Sequence, residues 1–514
     1  MMTGFGARIE KPIVFAGAKI EQEARFKPEH ETVREIEDAR AAAQSLTEAV
    51  PGKGTVTMIF VPGWSFLEWT DEILEQLPNM RRLIHEGAIG ALNVRTAERG
   101  LEDIYATIGA GANARSRPEW IAMGRLEPAG TAAGGLAERA SVPNRAETGP
   151  AAETNGLALY RRYTGWEPGE DEIVVPAIHA VATGNAGLSS KAKPGLLGGL
   201  LREKGVNLYV FGNSDTASGK KRYAPYILMN ERGTVPYGAV GEETLIPDST
   251  RPSSVKINAS GLLERWEKAR GPATVIVAEW GDLYRLYSES RLYSPERFAA
   301  AKLEVLRELD AFAGKIAGRL REGDELWMLS PQVNKTASSR KWHLAPVILY
   351  APGGTAGWIT SDSTRRDGIA AATDLAPTLL RYFGIEAPPE MIGRPIRVTA
   401  SGESGLPEKW MRELSMMREV YELRPKLLYP FVTYEAVVLL VSLAVVWKRW
   451  RKPAGAAAVL LLSTLVAPLA ILALGWLNLI HPLPAQAQLA VFAAITGAVS
   501  AFFLKTRSPF LAAG

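Results

Sequence analysis

Short, continuous apolar runs alternate in this chain with longer stretches whose apolar residues recur at helical spacing. The runs are Thr55–Val61, Ala88–Val94, Val206–Phe211, Thr274–Glu279, Glu325–Leu329 and Pro346–Tyr350. Runs of this kind read as strands buried on both faces. Between them, Asp71–Leu83, Pro194–Lys204, Pro295–Leu320 and Asp374–Phe383 read as amphipathic helices. Ser294 can cap the third of these, with Pro295 at its first position. Alternation of strands and helices predicts an α/β domain with a mostly parallel sheet covered by helices on both faces. Ligands in such sheets sit beyond the carboxyl ends of the strands. The loops at Pro62, Gly109, Asp282, Pro331 and His343 are therefore the candidate site loops.

The stretch from His343 to Ile396 is the most informative. Its strand ends in a turn at Pro352–Gly354, and its helix follows Thr373 or Asp374 as a cap. Gly384 ends that helix, and Pro388–Pro389 prevents a restart. TDLAPTLLRYFGI, Thr373–Ile385, followed by GRPI, Gly393–Ile396, resembles the C-terminal signature of the alkaline-phosphatase superfamily. That group includes sulfatases, phosphodiesterases and cofactor-independent phosphoglycerate mutase. Ser363–Leu380, Pro194–Thr216 and Ile227–Gly238 resemble a membrane-attached bacterial branch of it. The resemblance runs in patches from about Thr55 to Ile396, and it implies the fold more than the chemistry.

The resemblance also implies a site: two divalent metals, Zn, Mn or Mg, held by Asp and His from several strand ends, and an activated hydroxyl. In the mutase branch the first strand ends in Asp-Gly, where this chain has Pro62–Gly63. Aligning on Ile108–Gly111 puts Gly100 or Leu101 at the nucleophile, with Thr96 and Thr107 as the nearest hydroxyls. Asp282 fits the next metal ligand, but Leu286 replaces its His partner, and Pro331 and Gln332 replace an Asp-His pair. His343 falls near the last ligand. Asp282 and His343 are thus the metal candidates, and two donors are too few for ions that take roughly three or four protein ligands each. Gly109 and Gly111 are candidate anion binders through a glycine-rich loop, with Arg365 and Arg366 as charge partners.

With 514 residues, 47% of them hydrophobic, the chain is long enough for one large core with additions. A net charge of +4 is too small and dispersed to imply nucleic acid. Cysteine is absent, which excludes disulfides and thiolate chemistry. Residues 1–54 form a polar extension with a helix expected over Glu31–Val50, and residues 115–172, rich in Ala, Gly, Glu and Pro, read as a surface insertion in a domain spanning 55–400.

After a linker at 401–426, three apolar stretches follow: Leu427–Trp447, Ala454–Ile480 and Ala485–Leu504. Each reaches the ~20 residues that span a bilayer as helix. Lys448, Arg449, Arg451 and Lys452 follow the first, and Lys505 and Arg507 the third, while the loop 478–488 has no Lys or Arg. This asymmetry predicts a multi-pass protein of the cell membrane with an extracytoplasmic domain. No secretory pattern precedes Thr55, which implies either an upstream start or a cytoplasmic domain. The leading function is a pseudoenzyme with a degraded two-metal site, acting at the cell envelope as a binding or assembly module. Its expected partners are the lipid bilayer and an envelope protein or a phosphorylated, polyanionic ligand. The alternatives are a metal-dependent hydrolase or phosphotransferase of phosphate or sulfate esters, and a transport component.

Overall fold

A computed structural model describes residues 54–96, 98–127, 155–400 and 405–450, with scattered residues between 456 and 502. The chain divides into two compact units, Met1–Met411 and Arg412–Gly514.

The first unit is built on a ten-stranded sheet. Its strands are β1 Thr55–Phe60, β2 Ala88–Asn93, β3 Asn207–Asn213, β4 Tyr237–Ala239, β5 Thr274–Trp280, β6 Glu325–Leu329, β7 Ala345–Tyr350, β8 Gly357–Thr360, β9 Ile369–Ala371 and β10 Arg397–Ala400. Their order is β10-β8-β2-β7-β6-β1-β5-β3-β4, with β9 paired to β2. The central strand β1 runs parallel to β5 and β6, and β3 runs parallel to β5 and β4. Antiparallel pairing is confined to β7, between β6 and β2, and to β10 at the edge. Because β7 runs backwards, its amino end, preceded by His343, lies on the same sheet edge as the carboxyl ends of β1, β2, β3, β5 and β6.

Side chains alternate across a strand. Val56, Met58 and Phe60 pack on one face with Leu101, Ile104 and Ile108 of α3 (Leu101–Ala110) and Leu197 and Leu201 of α4 (Leu196–Glu203). Before these come α1 (Asp71–Leu74) and α2 (Pro78–Glu86). The sequence suggests one helix over Asp71–Leu83. Pro78 breaks it, because its missing N–H cannot continue the ladder but suits a first turn. On the opposite face lie α5 (Ala259–Ala269), α6 (Asp282–Ser288) and α7 (Pro295–Ala317). Trp266 of α5 donates from Nε1 to Thr57 Oγ1 at 2.9 Å, and Phe312 of α7 meets the Trp280 ring at 5.0 Å. Asp310 binds α7 to α2 by accepting from Met80 N and Asn79 Nδ2. Burial of each large apolar side chain in these layers contributes about 2 kcal/mol.

The expected surface insertion is packed at both of its ends. Ile121, Met123, Leu159 and Tyr160 join the main core, and Met123 pairs through its backbone with Val174. These anchors are few, so the composition of the segment conceals them. Residues 128–154 and the expected helix Glu31–Val50 lie outside the described residues.

Towards the carboxyl end follow α8 (Leu375–Tyr382) and α9 (Leu406–Trp447). Trp410, in the first turns of α9, is buried beside Trp358 at 5.3 Å. The first expected span falls within α9, and its large side chains Tyr429, Val432, Leu440, Leu443, Val446 and Trp447 are exposed. Among the described residues no helix is long and apolar enough to cross a membrane. The second and third expected spans lie for the most part outside the described residues.

Candidate functional site

The motif Thr373–Ile385 braces the fold. Asp374 is fully buried and accepts from Ala371 N at 2.8 Å, Ser363 Oγ at 2.6 Å and Arg394 N at 2.9 Å. Thr378 Oγ1 accepts from Ile396 N at 2.8 Å. A Cβ at Gly393 would stand 2.0 Å from Thr373 O, so only glycine lets the GRPI segment approach. Three segments, around Ser363, Asp374–Thr378 and Gly393–Ile396, are thereby fixed to one another. Arg365, in left-handed backbone, and Arg366 occupy the exposed loop that Ser363 anchors.

At the carboxyl edge, the loops after β1 and β6 are joined directly. Gly63 N donates to Gln332 O at 2.7 Å, and Asn334 Nδ2 donates to Gly63 O at 2.9 Å and to Ser65 Oγ at 3.1 Å. Ser65 in turn donates from N and Oγ to Glu68 Oε2, whose other oxygen accepts from Tyr287 at 2.7 Å. Burial raises the Glu68 pKa, partly offset by Lys302 at 3.8 Å and these donors. The space between the two strand ends is thus filled by a chain of hydrogen bonds.

The ends of β5 and β3 are equally committed. Asp282 is buried at the start of α6. It accepts from Arg285 Nη2 at 2.8 Å and from Ile257 N at 3.1 Å. Arg285 also donates to Asn213 O and Asp215 O. Asp215 takes Arg222 Nε and Nη2, and Arg222, with no exposed surface, also meets Glu127. Beneath them Glu279 is fully buried and accepts from Ser214 Oγ, with the buried Tyr105 hydroxyl beside it. Burial is the main cause that raises the Glu279 pKa to about 7. Sequence spacing gave no sign of Glu279, Ser214 or Arg222, because each finds its partners only in the folded chain. Spacing could have flagged two local pairs: Arg285, three residues after Asp282 on a helix, and the Ser65–Glu68 capping box.

The remaining candidates fall on different elements. Thr107 is buried in α3 and exchanges hydrogen bonds with Ala114 through its hydroxyl. Gly109 and Gly111 do not form an anion-binding loop. Gly109 lies inside α3 and Gly111 ends it in left-handed backbone, so this is a helix carboxyl end, where carbonyls rather than free amides emerge. Their glycines serve packing: a Cβ at Gly109 would meet Tyr226 O at 2.1 Å, and one at Gly111 would meet the Met391 side chain. Thr96, after β2, accepts from Arg99 N at 3.1 Å. Arg99 and Lys341 are both in left-handed backbone, and Gln332 Nε2 donates to Arg99 O. His343 has Ser338 Oγ at 3.5 Å. Its pKa is lowered by partial burial and then by Lys341, Arg99 and Arg95. Arg95, Arg99, Lys335, Arg340 and Lys341 are exposed and form no ion pair among the described residues. The β2–β7 side of the edge is therefore strongly cationic.

The residues present do not fit a pair of divalent ions. Asp282 is neutralised by Arg285, His343 is ringed by cations, and Pro62 and Pro331 offer no side-chain donor. Among the described residues no group of three His, Asp or Glu side chains stands where it could hold a metal.

No protein-family profile and no curated protein matches the chain. Solved structures do. A protein described as in the alkaline phosphatase superfamily, from Vibrio parahaemolyticus, is 15% identical, over 66% of this chain and 69% of that one, with a TM-score of 0.36. A phosphonate monoester hydrolase from Silicibacter pomeroyi is 12% identical, over 67% and 76%, with a TM-score of 0.35. The periplasmic domain of a phosphoethanolamine transferase from Campylobacter jejuni is 10% identical, over 68% and 96%, with a TM-score of 0.33. TM-scores this low leave the functional reading to the chain's own geometry.

Proposed function

We propose that this chain is a membrane-attached, alkaline-phosphatase-like pseudoenzyme that binds an anionic ligand at the cell envelope without turning it over. One observation carries this reading. The strand-end loops that would bring metal ligands together are instead hydrogen-bonded to each other, through Gly63, Gln332 and Asn334. An ion pair held there would have to displace that clasp and break the Asp282–Arg285 pair, and a buried charge stripped of its partner costs roughly 3–5 kcal/mol. The cations around Arg95, Arg99 and Lys341 support an anionic ligand, since exposed basic side chains focus negative charge onto an open edge. Membrane attachment is supported by the exposed apolar side chains of α9 from Tyr429 to Trp447.

The test uses the purified full-length chain. Incubation with Zn²⁺, Mn²⁺ or Mg²⁺ and 4-nitrophenyl phosphate or sulfate gives no turnover above a heat-killed control. A short polyphosphate binds, and Arg99→Ala with Lys341→Ala weakens it about tenfold, as expected for the loss of two charge-assisted contacts. Metal-dependent hydrolysis that disappears in Asp282→Ala would establish a hydrolase instead.

A further inference from the structure

Away from the cationic edge, a concave surface lies beside the carboxyl end of β3. There a cavity of about 710 Å³ opens between the turn Asp215–Lys220 and the hairpin formed by Leu245–Pro247 and Val255–Ile257. This is the size of a site for a small organic molecule. The turn is closed by mutual backbone bonds between Thr216 and Gly219. Ser253 ties the turn to the hairpin. Its N and Oγ donate to Glu289 Oε1 at 2.8 and 2.9 Å, and its Oγ accepts from Ala217 N at 3.0 Å. Ser253 and Ser254 both adopt left-handed backbone, at φ 59° and 55°. Such residues cost about 1–3 kcal/mol each and persist where surrounding contacts hold them. Strain is thus stored in the segment that ties the two walls of the cavity together.

The charges around the cavity are unequal. Asp215 is neutralised by buried Arg222, and Lys220 by Glu127 at 2.8 Å. Glu242 is exposed on the cavity wall and has no ion pair among the described residues. The other polar groups are hydroxyls, Thr216 and Ser218, and the opposite wall is apolar, with Leu245, Ile246 and Val255. An uncompensated carboxylate, hydroxyls and an apolar wall complement a ligand with an ammonium, several hydroxyls and a C–H face. We propose that this cavity binds a hydroxylated organic amine of the amino-sugar class, its ammonium on Glu242 and its carbon face on Ile246 and Val255. This site is independent of the anion-binding edge and takes the opposite charge.

Calorimetric titration of the full-length chain with D-glucosamine, D-glucose and inorganic phosphate tests it. D-glucosamine binds saturably, D-glucose about fivefold more weakly, and phosphate does not compete. Glu242→Gln weakens D-glucosamine about tenfold and leaves D-glucose unchanged, because only the charged hydrogen bond is lost. Ser218→Trp fills the mouth and abolishes both, while polyphosphate binding at Arg99 and thermal stability stay the same in both variants. Absence of saturable D-glucosamine binding, equal binding by Glu242→Gln, or phosphate binding that Ser218→Trp removes would each overturn the assignment, and none of these outcomes bears on the polyphosphate result.

Discussion

Glu279 is a buried carboxylate whose titration couples the fold to pH. It stands at the carboxyl end of the central sheet, fully buried, between the Ser214 and Tyr105 hydroxyls. Its folded pKa is raised to about 7 from the ordinary 4.5, chiefly by burial. Below pH 4.5 both folded and unfolded chains hold this proton, and its contribution to stability is fully present. As pH rises from 4.5 to 7 the unfolded chain releases the proton while the folded chain keeps it, so stability falls by up to about 3 kcal/mol. Glu279→Gln should abolish that slope and make the variant more stable than the parent at pH 8, measured by urea midpoints at pH 5 and pH 8. An unchanged slope in the variant would assign the pH dependence to another group, with Glu68 next in line. A second residue tests the clasp at the sheet edge. Asn334→Ala removes the donor to Gly63 O and Ser65 Oγ and the cap on Lys335–Ser339. It should cost about 2–3 kcal/mol in denaturant unfolding, and added Zn²⁺ should not restore it.

Elements were more legible in the sequence than their partners. The strands β1, β5, β6 and β7 are continuous apolar runs between turn residues, and such runs need no context to be recognised. The direction of β7 was not legible, because an apolar run carries no sign of whether its neighbour is parallel. The break between α1 and α2 is marked in the sequence by Pro78, although the apolar spacing runs on across it. Ile108–Gly111 misled, because glycine marks close backbone approach whether the neighbour is a phosphate or another helix; here it is Tyr226. The motif Thr373–Ile385 with Gly393–Ile396 was legible as a signature, and the structure supplies its cause in the bonds of Asp374 and the contact of Gly393 with Thr373. Gly393→Ala should therefore destabilise the domain by about 3 kcal/mol, since the clash is with backbone that cannot swing aside. Gly199→Ala on α4, where nothing lies within 4 Å of the added carbon, should be neutral or slightly stabilising. Thermal unfolding of the pair reads the difference, and equal midpoints would remove the packing explanation of the motif.

On the membrane attachment proposed above, charge and apolar length together decide the expected orientation. On α9 the exposed residues from Tyr429 to Trp447 include few that water would favour, and each large side chain moved into lipid recovers about 2 kcal/mol. Lys448, Arg449, Arg451 and Lys452 follow at once, and a basic cluster next to a span is retained on the cytoplasmic side. Lys505 and Arg507 follow the third apolar stretch, and the loop 478–488 between the second and third has no Lys or Arg. Three crossings starting outside put both basic segments in the cytoplasm, and an inverted arrangement would strand both of them outside. Glu435 does not change this count, because acidic residues weigh little in orientation and its place near the start of the stretch lets it reach the interface. The domain bearing the cationic edge is accordingly expected outside and the last residue inside. The chain has no cysteine, so single labels report without background. In intact cells a membrane-impermeant maleimide should label Ser249→Cys, an exposed position of the domain, and should label Gly514→Cys only after lysis. Labelling of Gly514→Cys in intact cells with Ser249→Cys protected would invert the topology and move any anionic or amine ligand to the cytoplasmic side.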